Sequence, residues 1–241
     1  MKKITLIITM IFAFLICDAQ INNNAKWDYP VKPGSDEWRM TSYDEKIKKS
    51  QPPVELLKSW DTETLFGYCI DYPFNKVTLL FNNPNDGFKR AYEQSSVWQE
   101  FIRRKDALEV FAKYFEAHPN KRLFTMDNIE IRNNDLFTLF FLEKLVSETD
   151  FTNYLDSSLK RKLADIILET HQSKKDYPDE FYGFSYNSSL SALLKILEND
   201  NAFSGERISL ADFREKTGDE SYIDEIMDST IVDKTINYLN D

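Results

Sequence analysis

His118 and His171 are the two histidines of the chain, and they bound the acid–base chemistry open to it. A Ser-His-Asp hydrolase would have to use one of them, and the sequence offers no GxSxG elbow to present the serine. There is no HExxH pair and no His/Cys cluster, so the usual zinc hydrolase site has no ligand set. Each histidine falls at the end of a predicted helix, where an imidazole more simply caps the last carbonyls. With six glycines in the chain, neither GxxxxGK(S/T) nor GxGxxG occurs, which sets aside P-loop and Rossmann cofactor chemistry. No cofactor and no metal are expected.

Carboxylates are abundant, 40 Asp and Glu against 30 Lys and Arg. A glycosidase needs only a pair of them at a suitable separation, so a hydrolase of glycan or peptidoglycan stands as the catalytic alternative. Glu220-Ser221 is similar to the Glu-Ser pair of lysozyme-like transglycosylases, but only as a dipeptide, without the Gly- and Gln-rich motif that accompanies it there. Cys69, amid Leu65, Phe66 and Ile70, reads as a small buried apolar residue and not as a nucleophile. The run Asn82-Asn83-Pro84-Asn85-Asp86-Gly87 gathers side-chain oxygens of the kind calcium accepts. It lacks the alternating acidic ligands and distal Glu of an EF-hand and reads as a plain turn.

Two aromatic-rich stretches are the candidates for a recognition surface. Residues 27–38 (WDYPVKPGSDEW) carry Trp27, Tyr29 and Trp38 among two prolines and a glycine, a composition that favours an extended or turning path over regular helix. They belong to an N-terminal arm, 20–41, which the aromatics staple to a helical body or offer to a ligand. Residues 172–188 are expected as a long loop holding Tyr177, Phe181, Tyr182, Phe184 and Tyr186 beside Asp176, Asp179 and Glu180. Aromatics in such a loop either pin it to the core or meet a partner.

The elements that must position these groups are helices. Over 134–147, Leu136, Phe137, Leu139, Phe140, Phe141, Leu142, Leu145 and Val146 crowd nearly the whole circumference of one helix, leaving Thr138, Glu143 and Lys144 to face water. Such a helix must be covered on more than one side, and it is too short for the ~20 apolar residues of a bilayer crossing. Upstream, Ser42 and Glu45 form a capping box for a segment reaching Lys49. Pro53 opens a short helix through Trp60, and Asp61 caps the next, which ends at Tyr72-Pro73. Helices are expected over 87–95, 97–103 and 106–118, with 120–133 as a strand pair or packed loop. Downstream, an amphipathic segment runs over 151–171, with Lys174 and Lys175 placed to meet its negative end. Leu190, Leu193, Leu194 and Leu197 define another helix, Ser209 caps a short one stopping at Gly218, and a terminal segment over 222–239 breaks at Ser229-Thr230.

The fold class is therefore all-α, built from irregular stacked helical hairpins of the HEAT or armadillo kind, or another multi-helical packing, with long loops. The hairpins have the size of repeats with a period of about 40 residues, but no residue signature recurs between them. One helical domain is expected over 42–241.

Lys2, Lys3, the apolar run from Ile4 to Ile16, and then Cys17, Asp18, Ala19 and Gln20 have the layout of a secretory signal peptide over 1–19. Cleavage after Ala19 places Cys17 and Ala19 in the two small-residue pockets. A lipoprotein would instead be modified at Cys17, but Ile16 stands where that processing wants a small residue. The expectation is export to the periplasm or beyond, with no membrane span in the mature chain and Cys69 its one thiol. The formal charge of −10 disfavours nucleic acid, whose affinity rests on clustered Lys and Arg. It suits solubility outside the cell or a basic partner.

The stretches YPVKPGSDEW (29–38), SQPPVELLKSWDTETL (50–65), CIDYPF (69–74) and FNNPNDGFKRAYE (81–93) resemble those of a family of exported proteins of Bacteroidetes-type bacteria, over about residues 27–200. The resemblance implies an envelope or extracellular setting and carries no catalytic residue with it. With motifs of catalysis missing, the reading is a non-catalytic binding or protein-interaction module. A carboxylate-based hydrolase and an acidic inhibitor or immunity-type protein are the alternatives.

Overall fold

The computed structural model describes residues 27–119, 127, 129–176, 183–202, 209, 211–213 and 225–240, with backbone alone at 129–131 and 183–186. Among the described residues the chain is all-α, with eleven α-helices, two 3-10 helices and no strand. Short helices fill the first part of the chain: α1 (Asp36–Met40), α2 (Tyr43–Lys49), α3 (Val54–Ser59), α4 (Thr62–Ile70), a 3-10 helix (Asn75–Leu80), α5 (Pro84–Glu93), α6 (Ser96–Phe101) and α7 (Ala107–Ala117). Long ones follow: α8 (Ile129–Glu148), a 3-10 turn (Phe151–Tyr154), α9 (Ser157–Lys174), α10 (Gly183–Asn199) and α11 (Glu225–Asn240).

Local chemistry explains most boundaries. Ser42 accepts from the Glu45 amide and Asp61 from the Thr64 amide, each quenching a helix-start donor. Gln51 closes the proline turn between α2 and α3. Its amide nitrogen donates to the Ile47 carbonyl, the Tyr72 hydroxyl and the Gln94 carbonyl, and its oxygen accepts from the Ser96 amide. The arm departs from the expected irregular path at its end. Gly34 turns with φ +87 and Ser35 then caps α1, so Trp38 is helical.

Further differences follow from the same physics. The run 82–87 is no plain turn: Asn83 caps α5 and Pro84 occupies its first turn, where a missing N–H costs nothing. Gly87 lies inside that helix because the 3-10 backbone crosses it; a Cβ there would stand 2.4 Å from the Thr78 carbonyl oxygen. Helix α8 begins at Ile129, so Ile129 and Ile131 belong to it and not to a strand pair. Residues 183–188, expected in a loop, form the first turns of α10. The break at Ser229-Thr230 is absent: α11 continues unbroken, and both hydroxyls bond back to the Ile226 carbonyl within it. Ser209 accepts from the Asp212 amide; Gly218 lies outside the described residues.

Helix α8 joins the two parts, packing on α5 along one side and on α10 along another. Phe141 reaches Phe88 at 4.7 Å and Trp98 at 5.0 Å between ring centroids. On the far side α10 lies among α8, α9 and α11, and Leu190, Leu193, Leu194, Ile196 and Leu197 are buried there. Each such side chain contributes ~1.5–3 kcal/mol on leaving water. Among the described residues no helix is long and apolar enough to cross a membrane.

Candidate functional site

Among the described residues two places gather side chains that could act on something else: a surface cleft beside the arm and a polar cluster inside the long helices.

The cleft opens where the arm, the end of α4, the first 3-10 helix and α8 meet. It measures about 330 Å³ and is lined by Pro33, Ile70, Tyr72, Pro73, Phe137 and, among its polar groups, Asp71, Lys76 and Asn134. That is the small end of the range for ligand pockets, with the usual apolar wall and few polar groups. Its parts are held firmly. Lys76 donates to Asn134 Oδ1 at 2.9 Å across the opening. Asn75 donates to the Cys69 and Ile70 carbonyls at 2.8 and 3.0 Å and accepts from the Trp98 indole at 2.9 Å. The Tyr72 hydroxyl donates to the Gln94 carbonyl, and burial pushes its pKa up to about 12. The same 3-10 helix ends in Leu79, Leu80 and then Phe81, exposed by 58%, 80% and 41%. Single exposed apolar residues are ordinary; here three stand in succession on a fixed turn.

The inner cluster draws on four helices. Glu143 of α8, expected to face water, is fully buried, as are Lys144 and nearly so Thr138. Lys174 of α9 donates to both Glu143 oxygens at 2.8 Å and to Ser189 Oγ of α10 at 3.3 Å. Ser188 also donates to Glu143. Lys174 thus answers a buried carboxylate instead of the carbonyl end of its own helix. Burial lowers its pKa, and the Glu143 carboxylate opposes that fall. His171 contacts Ser189 Oγ through Nδ1 at 2.9 Å and Asp228 of α11 through Nε2 at 3.1 Å. Lys175 reaches the same Asp228 at 3.0 Å. Lys144 donates to Asn85 Oδ1 at 2.6 Å, so an oxygen of the expected turn serves a buried ammonium.

Ser189, His171 and Asp228 are the residue types of a nucleophilic triad, but they are placed as a core network. Ser189 and His171 are both wholly enclosed, and the cleft is lined by other residues. The pKa of Asp61 is held low by the Thr64 amide, and those of Asp200 and Asp228 are held low by hydrogen bonds and cations that outweigh their burial.

Comparison of the chain with protein-family models, with curated proteins and with solved structures finds no match in any of the three. The site has to be read from its own geometry.

Of the aromatics singled out in the sequence, Tyr29 is buried, donates to the Tyr68 carbonyl at 2.9 Å and packs edge-on to Tyr68 and Tyr72. Trp27 is half-buried, with its backbone amide on the Tyr68 hydroxyl at 2.7 Å. Trp38 leans on Phe74 at 5.2 Å, with Lys46 over its ring. These three come together on α4 and its exit, beside the cleft. Tyr177, Phe181 and Tyr182 lie outside the described residues, and Phe184 and Tyr186 are placed by backbone only, on α10. His118 does sit at a helix end, with Nδ1 at 2.8 Å from the Tyr114 carbonyl. His171 instead serves the cluster. Cys69 is buried and free, and burial pushes its thiol well above the ordinary range, as befits a packing residue.

Proposed function

We propose that this protein is an exported, non-catalytic binding or protein-interaction module of the cell envelope, and that it meets its partner with the cleft and the Leu79-Leu80-Phe81 turn beside it. The observation that carries the reading is that turn. Three large apolar side chains stand in water on an element whose other end, at Asn75, is tied into the core by three hydrogen bonds. A rigid element does not lose conformational entropy again on association, so apolar area covered there converts to affinity with little loss. The cleft adds a recess and two charges of opposite sign, Asp71 and Lys76. The basic start of the chain followed by an apolar run supports the envelope setting.

Capture from a native envelope extract tests the reading. The intact protein is expected to retain a stoichiometric partner that a Leu80→Glu/Phe81→Glu variant of equal helicity does not. Equal retention by both, or none by either across a range of salt, contradicts it.

A further inference from the structure

The polar side chains that line the cleft divide into those occupied within the protein and those with capacity left. The Tyr72 hydroxyl donates to the Gln94 carbonyl and accepts from the Gln51 amide. Asn75 places its amide hydrogens on the Cys69 and Ile70 carbonyls and takes the Trp98 indole proton on its oxygen. Thr138 gives its hydroxyl proton to the Asn134 carbonyl at 2.9 Å.

Three lining groups have capacity to meet a ligand. Asp71 is exposed at the exit of α4, and among the described residues its carboxylate has neither a cation nor a hydrogen-bond donor. Lys76 is also exposed; its ammonium donates to Asn134 Oδ1, an amide and not a carboxylate, and keeps further hydrogens to give. That bond occupies the Asn134 oxygen and leaves the amide NH2 of the same side chain as a donor. The cleft therefore presents an anion on one side and a cation with an amide donor on another, around an apolar wall of Pro33, Ile70, Pro73 and Phe137. An ion of one sign answers only one of these charges and strips water from the other, and an apolar molecule strips both.

We propose that the cleft binds a small zwitterion with an apolar body, its ammonium on Asp71 and its carboxylate on Lys76 and Asn134. Free apolar amino acids and short apolar peptides share that chemistry. The proposal rests on the reading of this face as a binding surface and gives the recess a ligand of its own, beside the Leu79-Leu80-Phe81 turn. A volume of about 330 Å³ suits a ligand of that size. Because both charges are exposed, each is expected to contribute about five- to tenfold in affinity, and added salt weakens binding.

Ligand-observed NMR titration of the full chain at low ionic strength tests this with leucine, dileucine and the N-acetylated and C-amidated forms of each. One or both zwitterions are expected to bind, the tighter naming the source, and each blocked form to bind about five- to tenfold more weakly. Asp71→Asn is expected to weaken the zwitterion by a similar factor and leave the N-acetylated form unchanged. Lys76→Met is expected to weaken it likewise and leave the amidated form unchanged. Both positions are exposed, so neither substitution enters the core. Blocked forms that bind as tightly as the zwitterion, indifference to either substitution, or no binding of either zwitterion at millimolar concentration overturns the proposal. The reading of the binding face is judged separately, by whether Leu80→Glu/Phe81→Glu, which changes no residue lining the cleft, loses the envelope partner.

Discussion

Glu143 and Lys174 show how far burial changes the meaning of a charge. Two ions taken out of water are costly, and their mutual attraction repays that only when the remaining hydrogen bonds are made, as Ser188 and Ser189 make them here. Removing one partner leaves the other as an uncompensated buried charge. Lys174→Met is therefore expected to cost about 3–5 kcal/mol in urea unfolding, while Lys174→Met/Glu143→Leu recovers most of that loss. A double variant no better than the single would contradict the pairing. Glu143, Lys144 and Lys174 read outward in the sequence because charged residues are rarely enclosed. The signal that would have corrected this was present: a helix apolar on nearly every side has no wet face on which to put them. His171 gave no such signal, since its partners Ser189 and Asp228 are 18 and 57 residues away in the chain.

Helix boundaries were legible wherever a cap made them. Ser42, Pro53 and Asp61 stand where the sequence placed them because each acts on amides within three residues of itself or needs no partner at all. The failures come where one local signal serves two structures. Asn83-Pro84 is a turn opener and a helix opener alike, and only the crossing of the 3-10 backbone over Gly87 decides between them. That crossing is testable. Gly87→Ala would improve helix propensity in an isolated peptide, yet in the protein its methyl meets the Thr78 carbonyl. Chemical denaturation should show a loss of about 1–3 kcal/mol, and a gain would mean that the two elements are not in contact.

For the molecule as a whole, the division between short capped helices and long buried ones places the two candidate sites in different surroundings. The cleft lies where the short-helix part meets α8, with the Leu79-Leu80-Phe81 turn beside it, while the Ser189, His171 and Asp228 cluster is sealed among the long helices. The all-α class was legible from periodicity alone. The cleft was not, because Pro33, Asp71, Lys76 and Phe137 meet only after the arm and α8 have folded onto α4. The measurement that bears most directly on the central claim compares two variants for affinity toward the captured partner: Leu80→Glu/Phe81→Glu on the surface and Ser189→Ala in the cluster, each verified as helical. A binding module working through the turn predicts a loss of at least about tenfold for the first, or ~1.4 kcal/mol, and unchanged affinity for the second. Affinity kept by the surface variant and lost by Ser189→Ala would contradict the account and return the enclosed triad to the centre of the protein's function.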